Sequence, residues 1–156
     1  MKVKKVKDSV TVMSRLMTPN DVNLYGTVHG GVILRMLDEI GAVCASKHSS
    51  SSCVTASVDK VDFYYPIYIG EVITMRASVN YVGRASMEIG VKVSAQNLKT
   101  GKIRHTNSCY LTYVAINKKG RPVKVPRLIP ETPEEKRRFN DGKNRREERL
   151  KILKKK

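Results

Sequence analysis

The sequence predicts an α+β fold in which one five-stranded antiparallel sheet wraps around a single long helix. The first indication is the segment from Gly30 to about Lys47, which is apolar on nearly every side and should therefore be enclosed by other structure. The second is a series of later segments in which apolar and polar residues alternate, as in strands that cover a core with one face. Short connections between these segments indicate antiparallel neighbours.

Five strands are predicted in order along the chain. The β-branched residues of segment 9–17 favour a first strand, which precedes the helix. Alternation after the helix predicts strands at 53–65, 71–83, 85–97 and 102–117. Such a sheet leaves an exposed edge, which the pairing of two chains would cover. We therefore expect a homo-oligomer of at least two chains. A trimer of dimers is the larger assembly that we expect, although the exposed edge alone does not indicate it.

One of these strands is predicted to be irregular. In segment 53–65 the alternation changes phase near Asp59 and Lys60, which is the pattern of a β-bulge.

The positive charge of the chain is concentrated at one end. The chain has 156 residues and a net charge of +16, to which residues 1–117 contribute +6 and residues 118–156 contribute +10. Its length suits one domain with its own core. We therefore divide the sequence into a folded domain, residues 1–130, and a basic tail, residues 131–156.

The start of the tail has the sequence pattern of a helix N-terminus. Thr132 is a suitable N-cap, Pro133 suits the first helical position, and Glu135 completes a capping box. Few apolar residues follow, and Gly142 interrupts the segment. We therefore expect an exposed and partly frayed helix.

Composition also limits the cellular setting and the chemistry. No apolar run approaches the roughly 18 residues that a membrane span requires, and no signal-peptide core follows the basic N-terminus. A cytoplasmic location is therefore expected.

The three cysteines are odd in number and lack metal-ligand spacing, so we expect reduced thiols and no metal site; they are Cys44, Cys53 and Cys109.

The segment "HGGV" at the start of the predicted helix is a candidate carbonyl-binding site. The backbone N–H groups of Gly30 and Gly31 fall in the first helical turn, where N–H groups have no intrahelical partner. They could polarise a carbonyl and stabilise the oxyanion formed when it is attacked. The alternative is that these glycines serve only close packing between helix and sheet.

The acidic pair Asp38-Glu39 interrupts the apolar helix. Asp38 lies on the same stripe as Leu34 and Ala42, and a carboxylate in a desolvated position lowers stability unless it is paired or used. The alternative is that both carboxylates face a solvent gap or a subunit interface. Of the two carboxylates, Glu39 is expected to form a structural ion pair, since Arg35 lies on the same stripe of the helix.

Two further side chains near the glycines are candidates for the site. Asn23 could orient a water molecule or a substrate carbonyl, and His29 could act as a base; each could also simply stabilise its turn. The sequence contains no GxSxG elbow, phosphate-binding loop, HExxH motif or cysteine with a convincing histidine partner. These absences argue against covalent hydrolases, nucleotidases and metal hydrolases.

Several motifs resemble those of the hotdog-fold acyl-CoA thioesterases, in particular the cytosolic, brain-type acyl-CoA hydrolases and their single-domain bacterial relatives. They are "PNDVNLYGTVHGGVILRMLDEIGAVCASKH", "VDFYYPIYIGEV" and "VNYVGRASMEIGV", in that order, within a similarity that covers about residues 10 to 130. The resemblance implies hydrolysis of fatty acyl-CoA to a free fatty acid and coenzyme A, without a metal or organic cofactor.

The resemblance also implies roles for individual residues. Asn23 matches the family's asparagine, Asp38 matches its helix acid, and the amide-bearing turn falls on Gly30 and Gly31. The "GRAS" turn resembles the segment that contacts coenzyme A. The residues assigned to coenzyme A binding are His29, Gly83, Arg84 and Ser86.

The resulting hypothesis is that Asp38 acts as a general base on water, or as a nucleophile, towards a thioester carbonyl that the glycine turn activates. The position of Asn23 before the helix suggests that one chain cannot bring both groups to one carbonyl, so that the site is shared between two chains. Alternatives are a hydroxyacyl-CoA dehydratase, which the lack of a histidine inside the helix disfavours, a non-catalytic acyl-CoA-binding protein, and nucleic-acid binding by the tail. No specific nucleic acid is expected as a partner.

Overall fold

The structure, a computed structural model, describes residues 2–153. It has seven strands and two α-helices in this described range, joined by short loops and two 3₁₀ turns. In chain order the elements are β1 (Val3–Lys5), β2 (Thr11–Leu16), α1 (Gly30–Ser49), β3 (Ser52–Phe63), β4 (Val72–Val82), β5 (Ser86–Gln96), β6 (Ile103–Ile116), β7 (Arg127–Ile129) and α2 (Pro133–Leu153).

The main sheet confirms the predicted α+β hotdog fold. Its five strands are all antiparallel and lie in the order β2-β4-β5-β6-β3, with α1 against one face. The alternation of the sequence explains this packing, because every second residue of β4 and β5 points into the core. The core residues of these two strands are Ile73, Met75, Ala77, Val79, Met87, Ile89, Val91, Val93 and Ala95.

The predicted bulge in β3 is confirmed. The pairing of β3 with β6 shifts register between Val58 and Lys60, and it shifts a second time between Thr55 and Ser57. The sequence did not predict the small parallel pair of β1 and β7, which are three residues each. Strands this short carry too little alternation to be recognised from the sequence.

The apolar sequence of helix α1 predicted that other structure encloses it on nearly every side. Within one chain this prediction was wrong. Its inner face is buried against the sheet, but Leu34 and Val43 on the outer face are 44% and 50% exposed. Asp38 and Glu39 also lie on this exposed side. Strand β3 is the neighbouring sheet edge, since it pairs only with β6 within the described chain. One chain therefore leaves an apolar helix face beside an unpaired strand.

The tail forms the predicted helix, and most of its residues are exposed, but the prediction that this helix is partly frayed was wrong. Helix α2 is continuous over 21 residues and packs across the outer face of the sheet, opposite α1. Its Phe139 ring meets Tyr81 edge-to-face, with ring centroids 5.0 Å apart. Gly142 does not interrupt the helix but lets it approach the sheet: a Cβ there would lie 3.0 Å from the Cβ of Tyr81 and 2.9 Å from Glu88 Oε1.

Ion pairs attach α2 further along its length. The Arg145 guanidinium binds both carboxylate oxygens of Glu88, at 2.7 and 3.0 Å, and lies 3.8 Å from the ring centroid of Tyr110. Arg149 pairs with Asp59 of β3. These contacts are made to the sheet and not to solvent, which is why a strongly basic helix is ordered on this face.

The start of α2 confirms its predicted cap. The N–H of Glu135 donates to Thr132 Oγ1, and the N–H of Thr132 donates to the Glu135 carboxylate, both over 3.2 Å. The helix begins at Pro133, as predicted.

The cysteines are free thiols, as predicted. Burial raises the pKa of Cys44 and of Cys109 to about 12, so both remain protonated at neutral pH.

Neither helix between residues 2 and 153 combines the length and the apolar character that crossing a bilayer requires.

Candidate active site

The loop before α1 is fixed by an asparagine and an aspartate. Asn23 Oδ1 accepts hydrogen bonds from the N–H groups of Tyr25 and Thr27, at 2.8 and 3.1 Å, and its amide donates to Thr27 Oγ1 over 2.8 Å. In one chain, therefore, the Asn23 carboxamide shapes the loop, which is the structural role that the sequence left open.

Asp21 attaches this loop to the rest of the chain. Its buried carboxylate accepts hydrogen bonds from the N–H and hydroxyl of Thr18 and pairs with Arg15 at 2.7 Å. The Thr18 backbone, followed by the Thr18 hydroxyl and Arg15, holds the pKa of Asp21 below its ordinary value despite burial. The main-chain carbonyl of Asp21 accepts from the N–H of His29 over 2.8 Å, so Asp21 also positions the start of α1.

The glycine turn has one free backbone donor. His29 is the N-cap of α1, and its Nδ1 accepts from the N–H of Gly31 over 2.8 Å. The N–H of Gly30 has no partner among residues 2–153. Because the helix dipole favours negative charge here, the Gly30 N–H is the better placed of the two predicted donors for a carbonyl oxygen.

A small apolar cavity of about 200 Å³ opens beside Gly30. Its walls come from the residues around the start of α1 and from the end of β3 with the loop that follows. A Cβ at Gly30 would lie 3.6 Å from the Phe63 ring, so a glycine leaves this entrance open. The other lining residues are Val28, Ile33, Tyr64, Tyr65, Pro66 and Ile67.

Asp38 is held by two hydroxyl groups. Thr55 of β3 donates to Asp38 Oδ1 over 2.5 Å, and the buried Tyr113 of β6 reaches the same oxygen at 2.9 Å and the Asp38 main-chain carbonyl at 2.7 Å. Gly41 permits this approach, because a Cβ there would lie 2.6 Å from the Tyr113 hydroxyl oxygen. Burial and the neighbouring Asp38 raise the pKa of Tyr113, so its hydroxyl remains a donor.

The other carboxylate oxygen of Asp38, Oδ2, has no hydrogen-bond partner within the described chain. One oxygen is thus fixed in place while the other can accept a proton, which is the arrangement that a general base needs. Sequence reasoning missed both supporting hydroxyls. The one sequence signal is that Tyr113 falls on the core face of β6, between Leu111 and Ala115, where a hydroxyl needs a polar partner.

Glu39 has the structural role expected for it. Its carboxylate pairs with Arg35 over 2.9 Å, one turn away on the exposed side of α1. Asp38 makes no such pair among the described residues, so the two adjacent carboxylates have different environments.

Asn23 and Asp38 share no hydrogen bond among residues 2–153, and their hydrogen-bond partners are different residues. Gly30 and Asp38 are separated by two helical turns, about 12 Å along the axis. Gly30 is half-buried, Asp38 lies on the exposed side of α1, and the loop that carries Asn23 also carries the exposed Leu24 and Tyr25.

The histidine of α1 lies elsewhere. The helix extends two residues beyond the predicted end and so includes His48, whose Nε2 contacts the carbonyl of Pro126 at 3.0 Å and whose ring is buried. Burial lowers the pKa of His48. It is four residues beyond Cys44, far along the helix from the glycine turn, so it offers no support for a dehydratase.

The "GRAS" turn joins β4 to β5. Gly83 N–H donates to the Ser86 carbonyl over 2.8 Å, and the Arg84 carbonyl accepts from Val125 N–H over 3.0 Å. A Cβ at Gly83 would lie 2.8 Å from Ser86 Oγ and 3.1 Å from the Arg146 guanidinium of α2. The Arg84 side chain is exposed. The turn therefore lies directly beside the C-terminal helix. It is distant in sequence from the glycines of α1.

A family model and several curated proteins match the chain. The model of the thioesterase superfamily matches residues 25–102. Protein VdlD of Helicobacter pylori is 43% identical over 88% of this chain and 79% of its own length. The cytosolic acyl coenzyme A thioester hydrolase of Rattus norvegicus is 39% identical over 90% of this chain, which spans 37% of that protein.

Solved structures match over nearly the whole chain. A hexameric acyl-CoA thioesterase without ligand is 40% identical, with a TM-score of 0.94 and 98% of each chain covered. The acyl-CoA hydrolase of Staphylococcus aureus, in complex with butyryl coenzyme A, coenzyme A and coenzyme A disulfide, is 34% identical, with a TM-score of 0.91 over 98% of this chain and 93% of that one. Alanine variants of that hydrolase, at an asparagine, an aspartate and a threonine, have also been solved.

Proposed function

The chain belongs to the thioesterase superfamily as a hotdog-fold acyl-CoA hydrolase, and we propose that it hydrolyses fatty acyl-CoA to a free fatty acid and coenzyme A, with Asp38 as the catalytic base. The observation that carries this assignment is the Asp38 carboxylate, whose Oδ1 is fixed by Thr55 and Tyr113 while Oδ2 has no hydrogen-bond partner among residues 2–153. Acyl-CoA binding alone would not need such a carboxylate.

The proposed reaction needs one base and one oxyanion site. Asp38 Oδ2 takes a proton from water as the water oxygen attacks the thioester carbonyl carbon. The Gly30 N–H stabilises the negative charge that forms on the carbonyl oxygen. The tetrahedral intermediate then expels the coenzyme A thiolate as the carbon–sulfur bond breaks, and the proton on Asp38 passes to that sulfur. No metal or organic cofactor takes part.

We propose that one active site is completed by two chains. Asn23 and Gly30 of one protomer would face Asp38 of its partner across the exposed side of α1. Support comes from the exposed apolar residues on that side and from the edge of β3, which is unpaired within residues 2–153. Asn23 and Asp38 also have different hydrogen-bond partners within the described chain. In this arrangement Asn23 orients the water or the carbonyl once the partner is in place. A trimer of dimers is the proposed larger assembly.

The solved variants of the Staphylococcus aureus hydrolase support this choice of residues. The asparagine, aspartate and threonine replaced in those variants have the same spacing along that chain as Asn23, Asp38 and Thr55 along this one. Thr55 is the residue that the sequence had not suggested and that the geometry places on Asp38.

We further propose how the two ends of the substrate are bound. The acyl group enters the cavity beside Gly30, which apolar and aromatic side chains line. Coenzyme A contacts the turn of Gly83, Arg84 and Ser86 and the exposed ring of His29. The rat relative is named as a cytosolic enzyme, which supports a cytoplasmic location for this chain.

The function is tested by measuring thiol release from acyl-CoA substrates of increasing chain length, from butyryl to palmitoyl. We expect hydrolysis by the unmodified protein and a fall of at least about 100-fold in kcat for Asp38→Asn, which keeps the side-chain shape but removes the base. Glu39→Gln is the matched control and should retain activity, since within the described part of the chain Glu39 pairs with Arg35 alone. Equal activity of both variants would refute the role of Asp38.

A further inference from the structure

The segment between β3 and β4, residues 64–71, forms one wall of the cavity beside Gly30. We call it the cavity segment. It contains no helix or strand, and its one β contact among residues 2–153 is the isolated bridge between Tyr68 and Thr27. Because regular secondary structure does not hold this wall, other contacts must fix its shape. Its lining residues are Tyr64, Tyr65, Pro66 and Ile67.

A buried ion pair supplies these contacts. The Arg104 guanidinium, near the start of β6, donates to both carboxylate oxygens of Glu71, over 2.5 and 2.7 Å. The same guanidinium donates to the Pro66 carbonyl over 2.8 Å, and Glu71 Oε2 accepts from the N–H of Tyr68 over 2.9 Å. Two of these four hydrogen bonds therefore end on main-chain groups of the cavity segment, on either side of Ile67.

Ile67 is the residue that this arrangement holds in place. Its side chain is 4% exposed and lines the cavity, and its carbonyl accepts from the N–H of Val28 over 2.8 Å. The Arg104 guanidinium also lies against the ring of Tyr68, 5.5 Å from the ring centroid. The ion pair therefore fixes the position of Ile67 relative to the start of α1.

The contribution of this ion pair is position more than stability. Burial raises the pKa of Glu71, but the hydrogen bonds from Arg104 and from the N–H of Tyr68 outweigh burial and hold this pKa below its ordinary value, so Glu71 is ionised at neutral pH. Replacing a buried ion pair by apolar residues of similar volume often leaves stability unchanged or higher. An apolar pair could not make the directional bonds to Pro66 and Tyr68.

The size of the cavity gives this wall a consequence for the substrate. At about 200 Å³ the cavity is smaller than the pockets of roughly 300–1,000 Å³ that hold drug-sized ligands. A long acyl chain would therefore need the wall to move outward. Where an apolar wall is rigid, one methylene group changes kcat/KM by a factor of about ten or more.

We propose that the ion pair of Arg104 and Glu71 determines the acyl chain-length selectivity of the site, because it fixes the Ile67 wall of the cavity against long acyl chains. The inference rests on the proposed function, since it takes this cavity as the acyl-binding site. Both residues act through the cavity segment and not on the reacting atoms, so they are positioning residues.

The test replaces both members of the pair. Arg104→Met/Glu71→Met removes the four hydrogen bonds without leaving an unpaired buried charge. Thiol release is measured on acyl-CoA substrates from butyryl to palmitoyl. The ratio of kcat/KM for palmitoyl-CoA to kcat/KM for butyryl-CoA should rise about tenfold, through a lower KM for palmitoyl-CoA, because the wall can move outward. The kcat for butyryl-CoA should stay near the unmodified value.

The matched control is Arg145→Met/Glu88→Met. It removes another buried ion pair with two hydrogen bonds, which lies under α2 and outside the lining of the cavity, and it should leave the ratio at the unmodified value.

A milder variant tests the geometry of the pair. Arg104→Lys keeps a cation beside Glu71, but an ammonium group lacks the planar fork that reaches both carboxylate oxygens and the Pro66 carbonyl. The same ratio should rise by a smaller factor than in the double variant. An unchanged ratio in both folded variants would overturn the inference. Loss of folding in both variants would also overturn it, because the pair would then serve the fold alone.

A binding measurement separates this inference from the proposed function. Calorimetric titration with free fatty acids, hexanoate and dodecanoate, needs no hydrolysis. Arg104→Met/Glu71→Met should raise the affinity for dodecanoate relative to hexanoate about tenfold. If the unmodified protein hydrolyses no thioester, the proposed function fails, and this titration still decides the role of the ion pair. Equal relative affinities in the two proteins, or no fatty-acid binding by either, would overturn the inference.

Discussion

The hydroxyl of Thr55 donates a hydrogen bond to Asp38 Oδ1 over 2.5 Å, and so links the bulged edge strand β3 to the middle of helix α1. Tyr113 reaches the same oxygen from the central part of the sheet. Two hydroxyls from two strands therefore define the orientation of one carboxylate.

If these hydroxyls orient the base, removing either one should lower kcat more than it changes KM. Thr55→Val and Tyr113→Phe preserve shape and delete one donor each, and we expect kcat to fall about tenfold in each, within the range that misplacement of a catalytic group produces. The measurement is steady-state thiol release. In an Asp38→Asn background, Thr55→Val should have almost no further effect on kcat, because the group it orients is already inactive. Full additivity of the two substitutions would show that Thr55 acts independently of Asp38.

A second prediction concerns the attachment of α2. Glu88 is 2% exposed, and Arg145 supplies its cationic partner. Arg145→Ala should lower the free energy of unfolding by about 3 kcal/mol, since it leaves a buried carboxylate without its ion pair. Urea denaturation measures this loss, and Glu88→Gln in the Arg145→Ala chain should restore part of it by removing the charge. Arg137→Ala, which breaks only exposed pairs, is the matched control and should change stability by less than about 1 kcal/mol. Equal losses for both arginines would contradict the proposed anchor.

A third prediction follows from Asp21. Because its pKa is lowered in the folded chain by the Thr18 backbone and its other partners, its contribution to stability is present above the ordinary carboxyl pKa and is lost as the pH falls through the lower, folded-state pKa. Asp21→Asn should therefore be less stable than the unmodified protein at pH 7, by about 1 kcal/mol. The difference should shrink below about pH 4. Urea midpoints measured at each pH check this, with Asp141→Asn as the exposed control. A difference that stayed constant with pH would contradict the charged-state explanation.

The sequence was sufficient to predict an element where its buried positions recur at regular intervals. Alternation in β4 and β5 and the apolar character of α1 predicted the sheet and its helix, because burial imposes those periods. A change of phase in β3 near Asp59 and Lys60 predicted the bulge there. The packing of α2 could not be predicted in this way. Its contacts depend on Gly142 and on Arg145 meeting Glu88, a buried acid on a distant strand.

The candidate site could also be predicted only in part, because tertiary packing brings some of its residues together. Asp38 and Asn23 stand out locally, one as an acid in an apolar helix and the other beside a glycine turn. Thr55 and Tyr113 do not, because a threonine before a bulge and a tyrosine in a core strand are ordinary residues until β3 and β6 bring them to Asp38.

The division of one active site between two chains is tested most directly by mixing two inactive variants. Asn23→Ala and Asp38→Asn chains are unfolded together in equal amounts and refolded, with tagged chains to confirm mixing. Random pairing makes about half of the dimers mixed, each with one intact site of two, so activity should return to about a quarter of the unmodified value. The control mixes Asp38→Asn with the Asn23→Ala/Asp38→Asn double variant, which can form no intact site and should stay inactive. No recovery in the first mixture, with mixing confirmed, would contradict the shared site.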